Sequence, residues 1–103
     1  MISNSKPQGP LFLIGGHDPS GAGIQADIET AAAFRIRVNS LVTALTVQNT
    51  QRVDKIGEVD ADTLMKQLVC LSEEQAPHAV KIGLIPTKDI VRIISIIYIF
   101  KWD

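Results

Sequence analysis

The sequence predicts an α/β fold with a mainly parallel sheet, and three observations carry this prediction. Short apolar runs alternate along the chain with longer segments of helical periodicity. The second run is apolar on both faces in its later half, as is typical of a central parallel strand. A glycine-rich loop, GGHDPSGAG, joins the first run to the first helical segment. Because such sheets bind ligands beyond the carboxyl ends of their strands, this loop is the first candidate site.

The first half of the chain predicts a strand, a helix and a second strand. Residues 11–15 are apolar and end at the glycine loop, which predicts the first strand. Residues 21–34 predict a helix, since apolar side chains recur there at three- and four-residue spacing, at Ile24, Ile28, Ala31 or Ala32, and Phe34. Residues 38–47, rich in Val, Leu and Thr, predict the second strand.

The second half continues the alternation. Residues 53–59 predict a short edge strand or an extended loop. Asp60 is suited to cap a helix that runs to Glu74, with Leu64, Met65, Leu68, Val69 and Leu71 on or near its inner face. Residues 79–84 predict a third strand and residues 87–98 a helix. No internal repeat or linker interrupts this order.

Composition narrows the class of protein. The chain has 103 residues, 46% hydrophobic and 20% charged, with a net charge of −1, which is typical of one soluble globular domain and excludes a disordered chain. Without a basic patch, nucleic acid is not an expected partner. The longest apolar run, residues 93–100, is far shorter than the roughly 20 residues that span a bilayer. We therefore expect no membrane partner and a cytoplasmic protein, and we expect the single cysteine, Cys70, to be a buried and unreactive thiol.

Three interpretations of the glycine loop can be compared. A Walker loop needs Lys and then Ser or Thr after its last glycine, and Ile24 follows Gly23 instead. The run GAGIQA fits a relaxed dinucleotide fingerprint, but it begins six residues beyond the predicted strand end, and no acidic residue ends the second strand. A loop that only reverses the chain direction is the third interpretation. None of these explains the motifs that follow.

Three motifs together resemble a known family. GGHDPSGAGIQAD, then VTALTVQNT, then KIGL occur in this order between residues 15 and 84. They are similar to the N-terminal part of the hydroxymethylpyrimidine/phosphomethylpyrimidine kinases of thiamine biosynthesis. These enzymes have a ribokinase-like fold and include pyridoxal kinases among their relatives. The resemblance covers roughly residues 11–92.

The resemblance implies a substrate site made of five residues. Gly16 would line the pocket, and Gln48 would hydrogen-bond the aminopyrimidine edge, unless its role is to cap a strand or turn. Asp18 would lie near the substrate hydroxyl or fix the loop, and the alternative is an Asx-turn or helix-capping carboxylate. Ala22 and Leu84 would form apolar wall. The loop has one glycine fewer than the family pattern, which would tighten the turn or rotate the helix start by about 100°.

The resemblance also implies ATP and Mg2+ as cofactors, a small pyrimidine as substrate and a homodimer. The polar first residues predict a flexible N-terminus over residues 1–10. The resemblance predicts the N-terminal part of a ribokinase-like kinase domain over residues 11–94 and a divergent or truncated tail over residues 95–103. No catalytic residue and no metal ligand of the family maps onto this chain.

Two hypotheses of different classes follow. In the first, the chain represents a pyrimidine kinase, or a kinase of a pyridoxal-type vitamer, whose nucleotide-binding and catalytic half lies outside these 103 residues. In the second, the chain is a catalytically inactive remnant that binds a small heterocycle or nothing. The first predicts activity only together with the other half, and both predict that the 103-residue chain alone is inactive.

Overall fold

A computed structural model describes residues 9–99, with side chains through residue 95. Seven elements follow one another in the order β1 (Leu11–His17), α1 (Ile24–Ala33), β2 (Val38–Gln48), β3 (Val53–Glu58), α2 (Ala61–Glu74), β4 (Ala79–Ile82) and α3 (Lys88–Ile99). The predicted flexible N-terminus lies outside the described residues up to residue 8, as does the predicted tail from residue 100 onward.

The four strands form one sheet in the order β3-β2-β1-β4. β1 pairs in parallel with β2 on one side and with β4 on the other, whereas β3 pairs antiparallel with β2. The predicted α/β fold with a mainly parallel sheet and flanking helices is therefore confirmed. Of the two possibilities for residues 53–59, the edge strand is correct.

The connections between the parallel strands run in opposite directions from β1. The chain moves from β1 through α1 to β2, and later returns past β1, through α2, to β4. Because parallel crossovers are right-handed, opposite directions place α1 and α2 on opposite faces of the sheet. The carboxyl end of β1 is thus the point where the two connections diverge, which is where open α/β sheets bind ligands.

The main core lies between the sheet and the pair of helices α2 and α3. Phe12 and Ile14 share a face of β1 because side chains alternate along a strand. Both are buried, at 0% and 2% exposure. They pack in one cluster with Leu41, Leu64, Leu68, Ile90 and Ile94. Leu13 points to the opposite face, on the side of α1.

The first strand and first helix have different bounds from those predicted. β1 continues to His17 rather than stopping at residue 15, because Gly16 and His17 still pair with Ala44 and Leu45 of β2. α1 begins at Ile24 rather than residue 21, after Gly23 as N-cap. Local sequence could not show this, since the extra ladder bonds depend on a distant strand.

Several burial predictions are wrong. Leu45 and Val47 of β2 are 54% and 53% exposed, because among the described residues no layer covers this end of the strand on that face. On α2, Val69 is 50% exposed and Cys70 is exposed as well. Leu64 and Leu68, four residues apart, define the buried stripe of α2, and positions 69 and 70 lie away from it.

The N-cap prediction for α2 is confirmed. The carboxylate of Asp60 accepts hydrogen bonds from the Thr63 backbone N–H at 2.9 Å and from its hydroxyl at 2.7 Å. These two bonds lower the pKa of Asp60. In the part of the chain described, no helix combines the length and apolarity needed to cross a membrane.

The buried stripe of α2 makes a direct prediction. Leu64→Ala removes a side chain that is 2% exposed, so we expect a loss of about 2–5 kcal/mol in the free energy of unfolding. Val69→Ala, on the exposed face, is the matched control and should change it by no more than about 0.5 kcal/mol. Chemical denaturation of both variants checks this, and equal losses would contradict the observed orientation of α2.

Candidate ligand-binding site

A cavity of about 180 Å³ lies beyond the carboxyl ends of β1 and β4. This volume is below the roughly 300–1,000 Å³ of pockets for drug-sized ligands, so it suits a single small ring. Its lining comes from the end of β1 and the loop after it, the start of α1, the end of β2 and the turn after β4. The lining residues are Gly15, Gly16, His17, Asp18, Gly23, Ile24, Asp27, Thr46, Gln48, Gly83 and Leu84.

An irregularity in the pairing of β1 with β2 lies next to the cavity. Gly15 pairs with Val42 and Gly16 with Ala44, so Thr43 is an extra residue in β2. Its buried hydroxyl donates to the Leu84 carbonyl at 2.8 Å. Three residues later, the Thr46 hydroxyl donates to the His17 carbonyl at 3.0 Å. Two hydroxyls of β2 therefore anchor the two backbone segments that flank the cavity.

The Leu84 side chain packs closely against Gly16. A Cβ on Gly16 would lie 2.9 Å from Cδ2 of Leu84. The Gly83 N–H donates to the Ile14 carbonyl at 2.7 Å, which keeps the turn after β4 against β1. Leu84 therefore forms one wall of the cavity directly beside Gly16.

The loop between β1 and α1 is organised by Asp18. Its Oδ1 accepts from the Ser20 backbone N–H at 2.8 Å and from the Ser20 hydroxyl at 2.7 Å. This is an Asx turn, so the Asx-turn interpretation is correct, and Gly23 rather than Asp18 is the N-cap of α1. The Ser20 side-chain and backbone bonds lower the pKa of Asp18, so the carboxylate stays ionised at neutral pH.

Gly23 closes the loop onto β1. It has φ +65° and forms an isolated bridge with His17. A Cβ at this position would lie 2.4 Å from the Gly16 carbonyl oxygen, which is closer than any side chain tolerates. Only glycine allows the chain to pass this close to β1 before the helix begins.

The polar side chains in the cavity differ in their hydrogen-bonding state. Asp18 is occupied by Ser20, Asp27 forms an ion pair with Lys81, and Thr46 donates to a carbonyl. Gln48 lies in the lining with its carboxamide unbonded to any other described residue. The turn after β2 is instead capped by Asn49, whose Oδ1 accepts from the backbone N–H groups of residues 51 and 52.

The structure brings four of the five predicted site residues to one cavity. Gly16, Asp18, Gln48 and Leu84 line it, whereas Ala22 is exposed in the loop and is not part of the lining. Sequence reasoning missed Asp27 and Thr46. Both could have been found from periodicity, since Asp27 is three residues after Ile24 on the helix and Thr46 two residues before Gln48 on the strand.

His17, Asp18 and Asp27 all line the cavity, but they do not form a metal-holding group. Among residues 9–99, no three His, Cys, Asp or Glu side chains come together in a way that could hold a metal ion.

Comparison with known proteins gives one consistent family. A phosphomethylpyrimidine kinase family model matches residues 18–99. The hydroxymethylpyrimidine/phosphomethylpyrimidine kinase of Escherichia coli is 37% identical over 85 residues, which is 82% of this chain and 32% of that protein. This chain thus spans about a third of the length of such relatives.

Solved structures agree with the sequence comparison. The crystal structure of a phosphomethylpyrimidine kinase from Clostridium difficile matches 84% of this chain with a TM-score of 0.79 and 38% identity, over 38% of that chain. Pyridoxal kinase from Staphylococcus aureus in complex with pyridoxal matches 87% of this chain with a TM-score of 0.76 and 25% identity, over 34% of that chain. Both are ribokinase-like kinases, so the expected fold is confirmed.

The conformation of Gly23 makes a second prediction. Gly23→Ala should lower the free energy of unfolding by about 1–3 kcal/mol from backbone strain alone, with the clash against Gly16 added. The control is Gly57→Ala, where φ is ordinary and the nearest atom to the new Cβ is 3.5 Å away, so the change should be close to neutral. Thermal unfolding of the two variants measures the difference, and similar melting temperatures would contradict the described loop.

The ionised Asp18 makes a third prediction, on pH. Because its pKa is lowered in the folded chain, its charge stabilises the fold above the unfolded value of about 3.9. That contribution is lost as pH falls through the lower folded pKa. Wild type should therefore be more stable than Asp18→Asn at pH 6, and the difference should shrink as pH falls below the unfolded value and vanish once the folded carboxyl is protonated. Denaturation at a series of pH values checks this, and a pH-independent difference would refute it.

Proposed function

The chain belongs to the phosphomethylpyrimidine kinase family, and from this membership we propose that the cavity beyond β1 binds the aminopyrimidine ring of hydroxymethylpyrimidine or of its monophosphate. In this proposal the chain carries the substrate-binding part of a kinase of thiamine biosynthesis. The ring lies against Gly16 and the Leu84 wall, in the space that the absence of a Cβ at position 16 leaves open.

The state of Gln48 is the observation that carries the proposal. An aminopyrimidine presents a ring nitrogen acceptor next to an amino donor. A carboxamide matches this pair with one donor and one acceptor in the same plane. Gln48 is half-buried in the lining, and neither the oxygen nor the amino group of its carboxamide is hydrogen-bonded to another described residue. The neighbouring Asp18, Asp27 and Thr46 side chains already have partners. Gln48 is therefore a side chain suited to recognise the ring.

In this proposal, the main role of Asp18 is to hold the loop between β1 and α1 in shape. Its buried carboxylate is ionised and accepts two bonds from Ser20, so its main contribution is to fix the loop that lines the cavity. Contact with the substrate hydroxyl is a second role that this position permits. Ala22, exposed and outside the lining, would act only if the loop closed over a bound ring.

The phosphate donor in this proposal is ATP with Mg2+. Among residues 9–99, no group of three or more His, Cys, Asp or Glu side chains comes together to hold a metal ion, so these residues supply no metal cage of their own. We therefore assign this chain binding and orientation of the acceptor, and we derive no transfer step from it. Homodimeric assembly and a cytoplasmic location stay predictions, and the exposed apolar side chains of β2 and β3 are a surface that supports the first.

A fourth prediction tests the pyrimidine site. Gln48→Leu keeps the side-chain size but removes the hydrogen bonds, which for a partly buried pair contribute about 1–3 kcal/mol. We expect hydroxymethylpyrimidine to bind this variant about tenfold to a hundredfold more weakly than wild type, by isothermal titration calorimetry. Gln51→Leu, an exposed glutamine in the turn after β2 and outside the cavity, should bind as wild type does. Equal affinities for Gln48→Leu and wild type would refute the assignment.

A pyridoxal-type substrate is the second candidate, favoured by the structural match to a pyridoxal kinase that contains pyridoxal. Titration of the same proteins with pyridoxal separates the two candidates. Tighter binding of hydroxymethylpyrimidine supports the first, and tighter binding of pyridoxal replaces it with the second. Failure of both to bind would remove the site assignment.

A further inference from the structure

The Gln25 side chain makes an unusual pair of contacts with the loop before its own helix. Its Nε2 donates to the Asp18 carbonyl, and its Oε1 accepts from the Asp18 backbone N–H at 3.2 Å. One carboxamide thus bonds both polar groups of the Asp18 backbone, seven residues earlier in the chain. Gln25 is not itself part of the cavity lining.

The backbone of Asp18 needs this contact because it is buried and no longer pairs with β2. It is the first residue after β1 ends at His17, so its backbone has left the ladder with β2. Asp18 is only 9% exposed, and an unpaired backbone N–H at a buried position is costly. The Asp18 carbonyl also accepts from the Gly21 N–H at 3.3 Å, but its own N–H has the Gln25 carboxamide as partner.

The position of Gln25 on α1 links its contact with Asp18 to the orientation of the helix. Gln25 lies in the first turn of α1, whose start is fixed by the bridge from Gly23 to His17. The carboxamide therefore couples the orientation of α1 to that of the Asp18 peptide. Asp18, His17 and Gly16 are consecutive members of the cavity lining, so a rotation of the Asp18 peptide would change the shape of that wall.

We propose that Gln25 is a positioning residue for the ligand-binding site: its carboxamide fixes the Asp18 peptide, and through it the Gly16–Asp18 wall, in the orientation that accepts the ring. The ligand part of this inference rests on the proposed function. The contact between Gln25 and Asp18 does not.

Gln25→Glu is the informative variant, and it gives the fifth prediction. The ionised carboxylate of this variant would still accept from the Asp18 N–H but could not donate to the Asp18 carbonyl, and the two oxygens would repel. A protonated carboxyl restores both contacts, since its O–H donates and its C=O accepts. Because only the neutral form makes both bonds, the pKa of this introduced carboxyl should lie above the usual value of about 4.3.

We expect hydroxymethylpyrimidine to bind Gln25→Glu about tenfold more weakly than wild type at pH 7.5. This ratio should fall toward one as pH is lowered to about 5. Titratable and charged groups near the contact are His17 at the end of β1, Asp18 on the loop, and the ion pair of Asp27 with Lys81. All are present in both proteins, as is any titration of the ligand, so the ratio isolates the new carboxyl. Asp18 stays ionised over this range because its pKa is lowered.

Two control variants distinguish the contact from general effects. Gln25→Leu keeps the volume without hydrogen bonds, so its weaker binding should not recover at low pH. Gln67→Glu introduces the same charge at an exposed position of α2 and should match wild type at every pH. A ratio for Gln25→Glu that does not change with pH would overturn the proposal.

A measurement without ligand separates this inference from the proposed function. The hydrogen-exchange protection factor of the Asp18 amide, followed by NMR, should be reduced in Gln25→Glu at pH 7.5 and restored near pH 5. If hydroxymethylpyrimidine fails to bind wild type but this recovery is seen, the contact stands and the pyrimidine assignment fails. Wild-type protection at both pH values would refute the contact itself. If Gln25→Glu unfolds at pH 7.5, recovery of the folded fraction near pH 5 reports the same dependence, and its absence overturns the proposal.

Discussion

The pairing of β1 on both of its edges is the constraint on which the rest of the structure depends. β1 lies between β2 and β4, and the two connections leave it in opposite directions. This arrangement opens a crevice at its carboxyl end. The segments that flank the crevice approach so closely that a side chain at Gly16 would collide with Leu84, and one at Gly23 with the Gly16 carbonyl. The backbone approach of Gly23 to Gly16 and the packing of Leu84 on Gly16 together define one side of the cavity.

Sequence periodicity predicted the order and type of the elements well, because each depends mainly on local pattern. Asp60 illustrates this, since both the cap and its partner lie within one helical turn. The end of β1 was predicted wrongly for the opposite reason. Its last two pairs follow an extra residue at Thr43 in another strand, and no local pattern in residues 11–23 contains that information. Bounds that depend on tertiary pairing are beyond what the sequence alone can show.

Burial was less predictable than secondary structure. Leu45 and Val47 have the composition of a buried strand, yet each is more than half exposed. Both faces of a strand are buried only where another layer covers each of them. The apolar pattern shows that the strand can be buried, but not that such a layer is present. Cys70 was mispredicted for a similar reason. Its sequence neighbours are hydrophobic, but the thiol lies beside the buried stripe of α2 and is exposed. The place of the candidate site followed from the sequence alone, because the glycine loop comes after a predicted parallel strand. The resemblance supplied the roles of Gln48 and Leu84, and periodicity could have added Asp27 and Thr46.

Most polar groups around the cavity are hydrogen-bonded within the chain, whereas the Gln48 carboxamide is not bonded to another described residue. Thr43 and Thr46 anchor two carbonyls, Asp18 closes an Asx turn, and Gln25 satisfies both backbone groups of Asp18. The hydrogen bonds that these groups already make maintain the shape of the cavity. Gln48, with its carboxamide unbonded within the described chain, retains its hydrogen-bonding capacity and stands in the same lining. In the proposed function, a flat heterocycle with adjacent donor and acceptor atoms would satisfy both groups of this amide at once while it lies against the wall that Gly16 and Leu84 form.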